Sequence, residues 1–299
     1  MNQQSSENLR KKAYMGIFLM GIVSLMGDIV YEGSRGIVPG FLSFLGATEI
    51  IVGIVGGLGD FLGNAIRLVS GYLADSTRAY WIFIFIGYGL IGAIPFLGVS
   101  LGLEMAIMLV LLERLGKAFR APSRDTVISI ISKEVGSGKA FGFHEMLDQI
   151  GGMLGPLIVS ALMFYSNNDY RSTFSFLFIP FFALLATLLY TYTKINQRTT
   201  AGRKTETKEK AVGKMSKRFY VYTVAVLLNA VGLIPYALIL YRAGEVVLPT
   251  QLWIIPLIYL LIQGVDAPSA LMAGYAYDRF GMKLLVVPFV LSLFSFSWL

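Results

Sequence analysis

The sequence predicts an all-α membrane protein, a helical bundle of about nine transmembrane helices with a six-helix first half and an incomplete second half. Three observations predict it. The 299 residues are 56% hydrophobic and 14% charged, with a mean hydropathy of +0.67, whereas soluble domains carry about a quarter charged residues. Apolar runs of about 20 residues, long enough to cross a hydrocarbon core as helix, follow one another along the chain. The third observation is a repeat. Gly71-Tyr72-Leu73-Ala74-Asp75-Ser76-Thr77-Arg78, at the end of one apolar run, returns 203 positions later as Gly274-Tyr275-Ala276-Tyr277-Asp278-Arg279-Phe280-Gly281, which marks a duplicated multi-span half.

The expected spans lie near 13–39, 48–73, 80–99, 103–121, 140–164, 172–193, 218–242, 251–275 and 284–299. They divide the chain into an N-terminal six-helix transmembrane bundle (1–193), a basic cytoplasmic linker (194–217) and a partial C-terminal transmembrane bundle (218–299). The first span follows Arg10, Lys11 and Lys12 but is no cleavable signal: its apolar run is too long, carries Asp28 and Glu32, and lacks a small-residue cleavage site. Lys and Arg concentrate at the N-terminus, around Arg78, from Arg124 to Lys139, in the linker, and at Arg279 and Lys283, whereas the alternate loops are almost uncharged. The positive-inside rule therefore places the N-terminus in the cytoplasm of a multi-pass protein of the cytoplasmic (plasma) membrane. The linker carries nine basic residues between Lys194 and Arg218, suited to a solvated tether or to docking on anionic headgroups.

The net charge of +7 sits in these short loops, not on a folded polar face with interleaved aromatics, so the expected partner is the lipid bilayer and not nucleic acid. With no Cys, the chain forms no disulfide, thiolate metal site or cysteine nucleophile. No cofactor, metal or enzymatic activity is predicted.

Charged side chains inside spans are expensive and face a bundle interior, which makes them the candidates for function. Asp28, Glu32 and Arg35 share one face of the first span by helical periodicity. On the second, Gly53, Gly56, Asp60, Asn64, Arg67 and Gly71 form one stripe. The fourth span adds Glu113, Lys117 and Arg120 on one face, with Arg114 pointing about 100° away and roughly 15 Å from the span's outer end. A midplane arginine needs a carboxylate, and Asp28 and Glu32 are the expected partners, either in a proton-coupled cycle or in a fixed ion cluster. Asn229, Pro235 and Tyr236 of the seventh span, with Gln263 and Asp266 of the eighth, are expected to line the same cavity.

The fifth span opens Phe141-Gly142-Phe143-His144-Glu145-Met146-Leu147-Asp148-Gln149. His144-Glu145-x-x-Asp148 resembles the zinc motif H-E-x-x-H only in part; the second histidine is missing and the chain has one His, which weighs against a zinc enzyme. His144 is expected to hydrogen-bond Asp148 or to act as a pH-sensitive gate, and Arg120 or Arg124 to balance Glu145 and Asp148 in a lock between the fourth and fifth spans. Gly151-x-x-x-Gly155-Pro156 allows tight helix packing with a kink.

These motifs resemble those of the major facilitator superfamily. The stretch after the second span resembles that family's G-x-L-A-D-R-x-G-R-[RK] signature through Gly71, Leu73, Ala74 and Asp75, with Ser76 and Arg78 departing from it. The second copy matches through Gly274, Asp278, Arg279, Gly281 and Lys283. Arg114 and Arg120 resemble the fourth-span arginine signature, and Gly151 to Pro156 the fifth-span signature of proton-coupled exporters. The resemblance implies an alternating-access secondary transporter, an antiporter exporting amphipathic organic small molecules against protons. It also implies a contact between Asp75 and a late helix of the second half. A proton-symport or facilitative importer and a non-transporting scaffold or receptor are the alternative readings. Carrying the repeat forward from Thr193 leaves the second half roughly 100 residues short. About three spans are then expected to be supplied in trans, and the isolated chain is expected not to transport.

Overall fold

The computed structural model describes residues 3–202, 220–221, 223–224, 235–280, 287 and 290, and these residues are helical with no strand. The expected cavity residue Asn229, the motif residue Gly281 and linker residues 203–217 lie outside the described residues, as do the side chains of Asp266, Gly274 and Asp278.

Helix α1 (Gln3–Arg35) is followed after a two-residue break by the short α2 (Val38–Phe44). The first expected span, 13–39, thus starts earlier and stops at Arg35. Pro39 in the first turn of α2 explains the break, because proline has no N–H to bond the Arg35 carbonyl and continue the ladder of α1. Helix α3 (Glu49–Thr77) begins at the Thr48 cap and ends at Arg78, whose φ of +56° is left-handed. The repeated motif Gly71–Thr77 therefore forms the last turns of the helix and not a loop, a correction to the expected boundary at 73.

Helix α4 (Tyr80–Gly89) continues through 3-10 turns and the single-turn α5 (Ala93–Phe96) to Val99, one apolar rod. Helix α6 (Leu103–Ile131) passes straight through the expected end at 121 although Pro122 lies inside it. Proline at 122 removes the N–H that would satisfy the Ala118 carbonyl, and Ser70 Oγ of α3 donates to that carbonyl at 2.6 Å. A hydroxyl from a neighbouring helix thus replaces the missing backbone donor.

Helix α7 (Ser137–Tyr165) leads through Asn167 and Asn168, both at positive φ, to α8 (Tyr170–Phe176) and α9 (Phe178–Gly202). Asp169 caps α8, accepting from the amides of Arg171 and Ser172 at 3.0 and 3.2 Å. Since α9 reaches Gly202, the first residues of the stretch read as linker are helical. Helix α10 (Tyr236–Val246) starts at Pro235, whose ψ of 139° is extended; a 3-10 turn (Pro249–Ile254) then leads into α11 (Ile255–Phe280).

Five segments among the described residues are long and apolar enough to cross a membrane: 10–35, 49–77, 80–99, 138–165 and 170–196. Helix α6 is the charged exception, and Glu113, Arg114 and Arg120 are all buried in the bundle. Helix α1 packs closely against α7. A Cβ on Gly155 would lie 2.7 Å from the backbone nitrogen of Gly33, and one on Gly151 2.7 Å from the Leu25 carbonyl, so the two backbones meet where only glycine fits.

Candidate functional site

Two charged clusters lie along the bundle axis, about 10 Å apart as measured by the seven residues from Lys117 to Arg124 on α6. The first is centred on Glu32, which is 7% exposed. Its carboxylate lies 3.5 Å from Arg35 and 4.0 Å from Lys117, and it accepts a short hydrogen bond from Tyr259 of α11. Lys117 also bonds the hydroxyl of Tyr31, whose ring lies under the Arg35 guanidinium at 4.7 Å. Periodicity on α1 placed Glu32 and Arg35 together as expected. Asp28, one turn earlier, forms no ion pair within 4 Å among the described residues; its Cβ lies where a Gly151 side chain would stand.

Arg114 does not pair with Asp28 or Glu32. Its Nη1 lies 3.6 Å from Asp60 of α3, its Nε 3.9 Å from Glu113, and its Nη2 donates to Tyr236 Oη of α10 at 2.8 Å. The reason is helical geometry: Lys117, three residues beyond Arg114, points about 60° away from it, so that Lys117 faces α1 and takes Glu32 while Arg114 faces α3 and α10. Arg35, Glu113, Arg114 and Tyr236 line one cleft, walled by apolar side chains of α2, α3, α5 and α6. Its ≈ 30 Å³ of free space admits about two waters and no organic solute in this conformation.

The second cluster ties α1, α4, α6 and α7 together. Ser24 Oγ bonds Tyr88 Oη at 2.8 Å, and Arg124 Nη1 lies 3.3 Å from both Ser24 Oγ and Asp148 Oδ2. His144 is 2% exposed, with Nε2 3.4 Å from Ser24 Oγ and 3.7 Å from Asp148 Oδ1. Of the two arginines expected to lock the fourth and fifth spans, Arg124 takes Asp148. Arg120 instead faces Glu113 at 4.0 Å and lies between the rings of Tyr31 and Tyr88, at 5.2 and 5.4 Å. Glu145 faces outward and pairs with Gln149, so it is no part of the lock.

The other expected residues are more scattered. Gly53 and Gly56 pack against Leu238 and Ala237 of α10, and Gly71 against Pro122, while Asn64 and Arg67 are exposed. Asp75 accepts a hydrogen bond from Tyr80 at 3.1 Å, at the end of α3. Gln263 is part-buried on α11, and Arg279 is exposed. Periodicity missed Tyr31, Tyr259, Ser24 and Tyr88, since a hydroxyl in an apolar run carries no charge signal. It also missed the ties at one end of the bundle, where Trp253 N donates to Asn168 Oδ1 at 2.9 Å and Ser160 Oγ donates to Trp253 O at 2.7 Å. The paired asparagines were the readable hint, because asparagine tolerates positive φ.

Comparison with known proteins places this architecture. A model of the Major Facilitator Superfamily matches residues 10–299. An uncharacterised protein of Mycobacterium tuberculosis is 34% identical over 299 residues, covering 95% of this chain and 72% of its own. An uncharacterised MFS-type transporter of Methanocaldococcus jannaschii is 24% identical over 286 residues, covering 94% of this chain and 70% of its own. Among solved structures, a bacterial homologue of the human drug peptide transporters superposes with a TM-score of 0.51 at 15% identity, and the tetrameric PepTSo2 with 0.52 at 13%. Each superposition covers 92% of this chain, which spans 57% of the length of those transporters. The family match over nearly the whole sequence, together with the helical bundle and its charged interior, shows that the chain belongs to the Major Facilitator Superfamily of multi-pass membrane transporters.

Proposed function

We propose that the chain belongs to a transporter that works by alternating access in the cytoplasmic membrane, N-terminus inside, as an antiporter that exports amphipathic organic small molecules in exchange for protons. One observation carries this reading: Glu32 is a buried carboxylate held at once by Arg35 of its own helix, Lys117 of α6 and the Tyr259 hydroxyl of α11. In a low-dielectric interior such a group has two states, ionised and paired or protonated and released. When ionised it anchors α11 to α1. When protonated it loses its attraction for both cations and weakens that anchor, which frees the end of the bundle tied by Asn168 and Trp253. Arg35, Arg114 and Tyr236 line the adjoining solute cleft, Lys117 and Asp60 pair with the charges around it, and Asp28 offers a second proton position on the same face of α1. Export is preferred because Asp28 and Glu32 resemble in placement the proton-binding carboxylates of multidrug exporters, and Gly151 to Pro156 resembles the fifth-span signature of proton-coupled exporters.

The test uses proteoliposomes with an imposed pH gradient and a panel of amphipathic dyes. Solute should move opposite to the protons, and Glu32→Gln should abolish pH-driven movement while leaving solute exchange at equal pH. Solute moving with the protons would replace export by import. Persistent pH coupling in a Glu32→Gln, Asp28→Asn double variant would place the proton site elsewhere. For orientation, single cysteines introduced at the N-terminus and in 194–217 of this Cys-free chain should resist an impermeant thiol reagent in intact cells, whereas cysteines at Gly46 and Ser100 should react.

A further inference from the structure

Four cations crowd around the cleft between α1, α3, α6 and α10, and they share three carboxylates within contact distance among the described residues. Glu32 serves Arg35 and Lys117, Glu113 serves Arg114 and Arg120, and Asp60 serves Arg114. Every one of these separations lies between 3.5 and 4.0 Å, longer than a charge-assisted hydrogen bond of about 2.7–2.9 Å. Asp28, which would balance the count, forms no ion pair within 4 Å among the described residues. Asp60 is half exposed, so its pairing is weakened by solvent.

The positive excess falls on two particular groups. Arg35 and Arg114 line the same cleft, near enough to repel each other. The buried Nε of Arg35 has no hydrogen-bond acceptor among the described residues. Arg114 Nη2 does have one, the Tyr236 hydroxyl, and the Tyr236 ring lies 5.6 Å from the Arg35 guanidinium, so one tyrosine sits between both cations. Two guanidiniums facing one cleft, with a neutral hydroxyl in the position of an acceptor, are arranged for an anion. Glu113, held by Arg114 and Arg120, and Ser34 also line the cleft, and the rest of its wall is apolar, chiefly Val38, Leu42, Val52, Val55, Ile94 and Val110.

We infer that this cleft seats the anionic group of the solute between Arg35 and Arg114, so that the transported class is amphipathic organic anions, carboxylates above all. The carboxylate takes the place of the Tyr236 hydroxyl on Arg114, and the apolar body lies along the valine and leucine wall. Displacing Tyr236 also detaches α10 from α6, which provides the room that the closed cleft lacks. This inference rests on the transport reading and names the solute for it.

The test uses the purified full chain with benzoate, indole-3-acetate and decanoate at up to millimolar concentration, each paired with its neutral amide. Binding is measured by calorimetry and by thermal shift. The carboxylates should bind at least about tenfold tighter than their amides. Arg35→Gln and Arg114→Gln should each reduce that preference while the amides bind as before, and Arg114→Lys should retain part of it. If the glutamine variants do not purify as monodisperse protein, the lysine variants and Tyr236→Phe, which keeps both cations, carry the comparison. Tyr236→Phe should preserve the carboxylate preference. Equal or tighter binding of the amides, survival of the preference in the Arg35→Gln, Arg114→Gln double variant, or no binding by any carboxylate overturns the inference. Proteoliposome exchange separates the two readings: exchange of neutral or cationic solutes alone sinks the anion class and leaves transport standing. Arginine-dependent carboxylate binding without exchange of any solute sinks transport and leaves the anion site.

Discussion

The Glu32 cluster and the Arg124 cluster lie on the same helices α1 and α6, yet they are built on opposite plans. Around Glu32 the ion pairs are long, at 3.5 and 4.0 Å, one carboxylate is shared by two cations, and the final ligand comes from α11. Around Arg124 every partner comes from α1, α4, α6 or α7, and the guanidinium holds two carboxylates, Asp125 at 3.1 Å and Asp148 at 3.3 Å. A cluster closed within four contiguous helices braces them against one another. A cluster that reaches across to α11 with loosely met charges is one whose state changes when the helices move. Arg120, between the rings of Tyr31 and Tyr88, is the side chain through which the two meet.

The comparison breaks most sharply at Glu32. Glu32→Gln leaves Arg35 and Lys117 facing each other without their anion, and losing one partner of a buried pair costs about 3–5 kcal/mol. Thermal unfolding in detergent should show that loss, and a change under 1 kcal/mol, roughly the value of an exposed pair, would mean that water already screens the cluster. Asp148→Asn should cost less, about 1–3 kcal/mol, because Arg124 retains Asp125 and Ser24. If the Asp148 variant proves the more damaging of the two, the assignment of brace and switch is reversed.

Tyr259→Phe removes one hydroxyl and sharpens the same contrast. It should cost about 1 kcal/mol in stability. Its larger effect should be on access: a cysteine at the part-buried Leu252, beside Trp253, should react faster with an impermeant thiol reagent in the Tyr259→Phe background, whereas Tyr88→Phe should leave that rate unchanged. Equal effects of the two would show that Tyr259 holds no gate.

The smallest expected effect lies outside the spans. The Ser172 hydroxyl, with the amides of Ser172 and Arg171, holds the Asp169 carboxyl below its ordinary range. A depressed carboxyl contributes stability above the unfolded-state value, and that contribution is lost as pH falls through the lowered folded-state value. Asp169→Ala should therefore cost about 1 kcal/mol at neutral pH. The gap from the parent should close only in acid below about pH 4. A gap that closes near pH 6 would show that the Asp169 carboxyl is not the group that titrates.

Much of this was readable from residue spacing alone. Glu32 and Arg35 stand three positions apart and meet; Glu113 and Arg120 stand seven apart and meet. Gly151 and Gly155 announced a close helix approach that α1 supplies. The repeated Gly-x-x-x-Asp pattern indicated the family before any helix was placed. Less legible were the boundaries at prolines. Pro39 stops a helix and Pro122 does not, because Ser70, 48 positions from Ala118 in sequence, donates to the carbonyl that Pro122 leaves unsatisfied.

By itself the sequence determined that this chain is a membrane-embedded helical bundle, and which side chains share a helix face. Composition sets the solvent and helical periodicity sets the face, both of which are local properties. Only the tertiary structure decided the partners: that Lys117 and not Arg114 meets Glu32, that Arg114 turns to Asp60 and Tyr236, and that Tyr259 closes the cluster. Periodicity says which way a side chain points from its own axis, and which helix stands opposite is fixed by how backbones pack.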